Sequence, residues 1–443
     1  MAGDKWSVQR IREIDAHHVL FSEIHRGMFE NSSESYFFQF GAWKKEVNVR
    51  FSGDLPPHTI GIPANLEPHF SIPDQLPYEI NTDGNRIHVG PVIAILVTNG
   101  KFSSELLNRY RNYFINYEAL RGLIYLCSIS GIRPQQKTVE GYCYNPDGSG
   151  SGQWVKSSFP YPDVAYRRTR VNKNRLYDHL LDHTGGKIFN SYFFNKWELQ
   201  QSFSRDPSVG KHIPCTKRMD NFPTFEEMLN LYGAVYLKPV NGSMGKGIHK
   251  AQKADKGYLF TLRDKTKIML DDRSRVSAFL RKIIREKKYL IQQAVDYTHD
   301  NKHVDFRVIM QKDRHMQWTC TGIVARYGKD GRIYTNDVSS VALGRTALQT
   351  VFGLQEEDAA RKEQEIVSVC TEACRVIDKT YGVFGDAGFD VAVDRQLNVW
   401  ILEINSRHNH SVASYAKEDP YMFGTVLARP LEYAKSLAGF FRS

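Results

Sequence analysis

The sequence predicts a mixed α+β protein in two parts, and three observations carry the prediction. Short aromatic and β-branched segments separated by hairpin turns fill the first 165 residues. From about residue 166 the pattern changes to longer amphipathic helices alternating with single buried strands. Near the C-terminus, two strands of period two place carboxylates and an amide on one face and apolar residues on the other. The expected organisation is a β-rich extension with a small α/β domain over 1–165, followed by an α+β domain over 166–443.

Taken in order, "SYFFQFGAWKKEVNVRF" and "YEINTDGNRIHVG" read as hairpins, the second turning at Asp83 and Gly84. "PVIAILV" supplies a buried strand, and 103–132 reads as one helix capped by Ser103 or Ser104. Strands follow in "EGYCYN" and "QWVKS" around the turn-rich 146–152, and "PDVAYRR" closes a part in which no residue suggests catalysis. In the second part the helices are "NKNRLYDHLLD", "TFEEMLNLYG", a basic one within 273–290 and a long one around "RKEQEIVSVCTEACRVIDK". The strands are "AVYLKP", "YLIQQAVD", "DFRVIMQ", "TCTGIVARYG" and a final pair within 388–405.

Composition excludes several classes. With 41% hydrophobic and 24% charged residues the chain is of ordinary globular type. Its best apolar run, "VGPVIAILV", is strand-sized and far short of the ~20 residues of a membrane helix. The N-terminus lacks a hydrophobic signal core, so a cytoplasmic protein without membrane association is expected. Six cysteines without C-x-x-C spacing fit reduced, buried thiols, Cys370 and Cys374 sharing a helix face. The net charge of +10 is not gathered into a recognition motif. In 273–290, Val276, Phe279, Leu280, Ile283 and Ile284 follow helical spacing, which leaves Arg281, Lys282, Arg285 and Lys288 on a solvated face. The other basic cluster, "RRTRVNKNR", is accounted for by a polyphosphate ligand, and no specific nucleic-acid binding is expected.

Chemistry is expected first at "VYLKPVNGSMGKGIHK", residues 235–250. Val235, Tyr236 and Leu237 read as a buried strand, Lys238 stands near its end, and Gly242, Gly245 and Gly247 follow. Such glycines let backbone N–H groups close on an anion, and they suit a plain hairpin loop as well. A Walker A loop is excluded because Ile248 and His249 follow the last glycine; a kinase loop is excluded because Lys238 comes first. The second place is "GFDVAVDRQLNVWILEINSRHNH", 388–410. Pairing Asp394 with Val399 across "RQLN" puts Asp390 opposite Glu403, with Asn405 on the same face and Phe389, Val391, Leu402 and Ile404 on the other. Two facing carboxylates repel unless a proton or cation lies between them, and an Asp/Glu/Asn oxygen set suits magnesium bridging to phosphate. Crowded surface acids are the alternative.

A strand lysine, a glycine loop, the strand arginine of "DFRV" and an Asp…Glu-x-Asn hairpin, in that order, resemble the ATP-grasp superfamily over residues 166–443. "GPVIAILV", "GYCYNP", "FPYPDVAYRR", "YLKPVNGSMGKGI" and "WILEINSR" look like the YheC/YheD branch of endospore coat-associated proteins over most of the chain. The resemblance implies an ATP-grasp fold, two α+β subdomains clasping a nucleotide, behind an α/β pre-ATP-grasp-like domain. It implies ATP and Mg2+, with Lys173 and Lys238 near the α/β-phosphates and Gly242, Ser243, Gly245, Lys246 and Gly247 as a flap over them. It implies Gln293, Ala294 and Val295 as a hinge beside adenine, Arg307 and Arg326 as catalytic residues facing the transferred phosphate or acyl group, and Asp390, Glu403 and Asn405 as metal ligands. On the residues alone, Lys173 reads equally as a helix-surface lysine, and the two arginines also read as structural ion pairs.

The resemblance further implies a carboxylate–amine ligase: a carboxylate attacks the γ-phosphate of ATP, and an amine from an amino acid or peptide captures the acyl phosphate. Spore-coat proteins are the implied partners and coat association the implied setting. RimK-like ligases differ in carrying a diglycine where "TNDVSSVALG" stands and Pro-Gly where "NSRHNH" stands, so acceptor recognition is open here. His408 and His410 are candidates for substrate contact or for a solvated, capping role. A nucleotide-binding coat or scaffold protein without ligase activity, and a kinase, are the other readings.

Overall fold

The computed structural model describes residues 4–29, 35–67, 69–146, 152–171, 174–242, 245–330 and 338–441. Its strands form four sheets. The first, seven-stranded, uses the N-terminal hairpins up to Gly90. Tyr36–Phe40 turns back into Trp43–Ser52, and Glu79–Asp83 into Arg86–Gly90, the second through Gly84 and Asn85, one residue beyond the expected turn. The second sheet has Val92–Thr98 running parallel to both Leu123–Arg133 and Val164–Arg167.

Here the expected helix over 103–132 is corrected. Ser103 does cap it, accepting from the Leu106 N–H, but the helix covers only Ser104–Arg111, followed by two single-turn pieces ending at Leu120. Leu123–Arg133 is a strand, almost wholly buried. A continuous apolar run reads alike in a buried strand and a buried helix. The boundary is set by Gly122, whose φ of +79° and 2.2 Å clearance between a would-be Cβ and the Pro91 carbonyl oxygen admit no side chain.

The third sheet orders six antiparallel strands: Thr216–Arg218, Tyr289–Gln293, Ala234–Pro239, His249–Ala254, Gly257–Thr261 and Lys267–Leu270. Helices Phe222–Tyr232 and Arg273–Glu286 cover one face through Phe225, Met228, Val276 and Leu280, while Arg281, Lys282 and Arg285 stay in solvent. The fourth sheet runs Val338–Leu343, Trp318–Gly328, Lys302–Lys312, Asp386–Val393 and Val399–Asn405. Helix Glu356–Tyr381 seals one face, setting Ile366, Cys370, Cys374 and Ile377 against Phe306, Val308, Phe389 and Val391. All six cysteines are free thiols. Among the described residues no helix is long and apolar enough to cross a membrane.

Two parts of the chain beyond residue 166 pack into the N-terminal core. Tyr177 and Leu180 of helix Arg175–His183, with Ile188 and Phe189, join it, as do Leu431 and Tyr433 of the C-terminal helix Met422–Leu437. The junction is polar at its centre. Asp386, fully buried, accepts from Gln311 and His408 on one oxygen (both 2.9 Å) and from Tyr166, Arg168 (3.2 Å) and His410 (3.0 Å) on the other. Asn190 sits behind it, donating to the carbonyls of Asp386 and Ser406 and accepting from the Gly385 and Asp386 N–H groups. Three ligand-type atoms of Asp386, His408 and His410 lie within 4.8 Å of one another, the spacing of a metal site. The Arg168 guanidinium on the same carboxylate already supplies the positive charge, so the cluster is a hydrogen-bonded hub. Tyr113 on Nδ1 of His410 (2.7 Å) is consistent with a neutral ring protonated on Nε2.

The hub corrects the expectation for His408 and His410, which are buried and face Asp386 instead of solvent or substrate. Burial pushes both imidazoles toward the neutral form, His410 down to about 3, against the pull of Asp386. Burial opposes the Asp386 charge, but the histidines and their hydrogen bonds outweigh it and hold the carboxyl well below its usual range.

Asp386→Asn should cost about 3–5 kcal/mol, because it strands Arg168 as a buried charge; a denaturant midpoint unchanged from wild type would refute the hub. The pH dependence has a definite sign. Below the unfolded histidine pKa near 6.5, the unfolded chain takes up protons that folded His408 and His410 refuse. Stability should therefore fall as the pH is lowered, by up to ~1.4 kcal/mol per pH unit for each histidine, and urea titrations at pH 7, 6 and 5 check this.

Candidate functional site

Between the third and fourth sheets lies a cleft of about 630 Å3. Strand Ala234–Pro239 is buried at Val235, Tyr236, Leu237 and Pro239, and it delivers Lys238 to the cleft wall, where its Nζ donates to Gln292 on the neighbouring strand. Gln292 is held in turn by donating to Thr216 at 2.9 Å. Burial lowers the Lys238 pKa to about 8; Glu403 and Asp390 resist that fall and Lys196 adds to it. The glycine segment is the loop of a hairpin that pairs Leu237 with His249, and it also borders the cleft through Gly242. The hairpin reading of the loop therefore holds. Gly245 and Gly247 have φ of +69° and +77°, and a Cβ on Gly247 would come within 2.9 Å of the Tyr289 hydroxyl. Lys246 is exposed, and Ser243 and Lys173 lie outside the described residues.

The facing wall is the hairpin Asp386–Val393/Val399–Asn405. Its register differs from the expected one near the turn, where Val393 pairs with Val399 and Asp394 instead closes the loop on the Asn398 carbonyl. A bulge between Asp390 and Val391 then shifts the pairing by one, so that Asp390 does stand opposite Glu403. The bulge also turns Leu402 out of the expected apolar face. Ile401 and Ile404 join the core under the long helix, while Leu402 packs with Val295, Tyr297 and Trp400 on the cleft side.

Glu403 and Asn405 line the cleft, half-buried. Asp390 is deeper. Its Oδ1 accepts from Arg307 at 2.7 Å and from Arg326 at 3.0 Å, and Arg326 also grips Asp305 with two bonds of 2.7 Å. Burial would raise the Asp390 carboxyl, but the two guanidiniums hold it below the usual range. Its Oδ2 has no partner among the described residues, so an oxygen remains for a cation. Gln293 spends its side chain on the Cys215 N–H, Ala294 packs on Tyr236, and Val295 is buried beside Leu402.

One site residue escaped the sequence reading. Lys196 opens helix Lys196–Phe203, fixed there by a capping box in which Asn195 caps and Glu198 reaches back. Its Nζ spans the cleft, 3.0 Å from Glu403 Oε1 and 3.0 Å from the Gly242 carbonyl. The Asn-x-x-Glu of "NKWE" was the available signal.

Residues 185–437 match the family model for YheC/D like ATP-grasp proteins. The chain belongs to that family. Endospore coat-associated protein YheD of Bacillus subtilis (strain 168) is 27% identical over 421 residues, 90% of this chain and 90% of that protein. YheC of the same organism is 22% identical over 292 residues, 62% of this chain and 78% of that protein. Among solved structures, the ATP-grasp ligase PsnB complexed with minimal precursor, Mg and ADP aligns with a TM-score of 0.41 at 11% identity, over 78% of this chain and 98% of that one. D-alanyl-alanine synthetase A from Vibrio cholerae aligns with a TM-score of 0.42 at 12% identity, over 79% and 98%. The two-sheet clasp described above is thus the ATP-grasp fold of this YheC/D-like family.

The two acids of the hairpin should respond unequally to neutralisation. Asp390→Asn leaves Arg307 and Arg326 short of a buried anion and should cost about 3–5 kcal/mol. Glu403→Gln breaks only a part-exposed pair with Lys196 and should change stability by less than ~1 kcal/mol. Equal denaturant midpoints for the two variants would contradict the assignment of Asp390 to a buried ion-pair network.

Proposed function

We propose that this protein is an ATP-dependent carboxylate–amine ligase working through an acyl phosphate, in association with the spore coat. One observation carries the reading: two lysines, Lys196 and Lys238, meet Glu403 and Asn405 across a single cleft, with the buried carboxylate of Asp390 paired beside Glu403 to complete an all-oxygen set. Cations suited to phosphate and hard ligands suited to magnesium are the two things that holding Mg·ATP requires. Family membership and the coat association of YheD support the same reading.

In this reading the third and fourth sheets, within a domain of residues 166–443, form the clasp. Lys238 and Lys196 hold phosphate oxygens, Lys196 exchanging its contact with Glu403 for the nucleotide. Arg307 and Arg326 keep Asp390 ionised and aimed, so that its carboxylate would be ready to hold a cation. Magnesium, when bound, neutralises charge that builds on the phosphates during transfer. The glycine loop, able to approach a ligand closely, shields the acyl phosphate from water. Adenine would lie against the apolar patch of Tyr236, Ala294, Val295 and Leu402.

The deciding experiment is ADP release screened against amino acids, peptides and coat extracts, with mass spectrometry of the products. Magnesium-dependent ADP release with an amide product is expected. A phosphorylated product would make the protein a kinase, and nucleotide binding without any product would make it a scaffold. Glu403→Gln should fold normally yet lose most of the magnesium-dependent ADP release; undiminished turnover would remove Glu403 from the metal site. Affinity for Mg·ATP should also depend on pH. Lys238 gives up its proton near pH 8, whereas a bound phosphate would keep it on. Calorimetric affinity should then weaken above pH 8 by up to ~tenfold per unit, and Lys238→Arg should abolish that dependence.

A further inference from the structure

The cleft holds more positive charge than its own carboxylates balance. Four basic residues line it, Arg170, Lys196, Lys238 and Arg407. Of its two acids, Glu403 is taken by Lys196 and Glu198 by the capping box and the Tyr192 hydroxyl. Arg170 and Arg407 are both exposed to the cleft, and among the described residues neither has a carboxylate partner. Arg168, their neighbour, is already neutralised by Asp386.

The lysines and the arginines make different contacts. Lys238 donates to Gln292, and Lys196 to Glu403 and the Gly242 carbonyl, whereas Arg170 lies against Phe193. The Phe193 ring is 5.9 Å from the Arg170 guanidinium and 4.7 Å from that of Arg167.

We infer that Arg170 and Arg407 form a carboxylate-binding subsite that selects an acidic peptide as substrate, apart from the nucleotide phosphates. A guanidinium matches a carboxylate in a two-pronged geometry that an ammonium cannot offer, which suits arginines here and lysines at the phosphates. The reacting carboxyl has to sit by the metal face of the hairpin, so the group held by Arg170 and Arg407 is a second carboxylate of the same molecule. This substrate class rests on the ligase reading, whereas the anion subsite itself does not.

The test uses the full chain and three probes, a hexaglutamate peptide, a hexalysine peptide and inorganic phosphate, followed by calorimetry with and without Mg·ADP. Hexaglutamate is expected to bind and hexalysine not. The charge-reversed pair Arg170→Glu with Arg407→Glu should weaken hexaglutamate at least tenfold while Mg·ADP affinity stays within twofold. Arg170→Lys with Arg407→Lys, which keeps charge and loses the fork, should fall between. Wild-type protein that ignores hexaglutamate, a reversed pair that binds it equally well, or Mg·ADP affinity lost in parallel would each overturn the subsite. Displacement of hexaglutamate by inorganic phosphate at equal concentration would assign it to phosphate and overturn the peptide. Failure of the ligase reading shows separately, as absence of an amide product.

Discussion

Asp386 carries its charge at a point with no exposure to water, and the placement of the site depends on how that charge is balanced. The compensating groups come from distant parts of the sequence: Tyr166 and Arg168 from the end of the second sheet, Gln311 from the fourth, and His408 and His410 from the segment after the last strand. An unpaired buried carboxylate costs several kcal/mol, so these elements are held in one arrangement or the centre is lost. Gly388 belongs to the same constraint, since a Cβ there would lie 2.5 Å from the His408 ring. Strand Asp386–Val393 is thereby fixed at its start, four residues before Asp390.

From that anchor the remaining geometry follows with little freedom. The bulge after Asp390 sets it against Glu403, and Arg307 and Arg326 hold its Oδ1 from neighbouring strands. The site face of the fourth sheet is therefore a lattice of paired charges from Asp305 through Arg326 and Asp390. Such a lattice resists the rearrangement that a newly arriving cation or phosphate would otherwise demand, which is the physical meaning of preorganisation. The opposite wall is different in kind. Lys238 and Lys196 are tied only by hydrogen bonds to Gln292, Glu403 and a loop carbonyl.

Much of this was legible in the sequence because it depends on local periodicity. The period-two hairpin, the strand carrying Lys238, the glycines of its loop and the amphipathic basic helix each follow from residue spacing alone. Local pattern failed where burial on both sides erased the period, as in Leu123–Arg133, and where a single inserted residue reset it, as at Leu402. Lys196 went unread for a related reason: a lysine at a helix start is common, and only the folded cleft brings it to Glu403.

The sequence by itself determined the family and the two facing sets of groups, because ordered motifs and alternation survive without coordinates. Tertiary structure alone decided which charges are paired and which stay available. Arg307, Arg326 and Arg168 are spent on buried aspartates, while Arg170 and Arg407 are left open to the cleft. Nothing in the identity of an arginine distinguishes these cases. Pairing of charges is a matter of distance and desolvation between residues far apart in the chain, and neither quantity exists until the chain has folded.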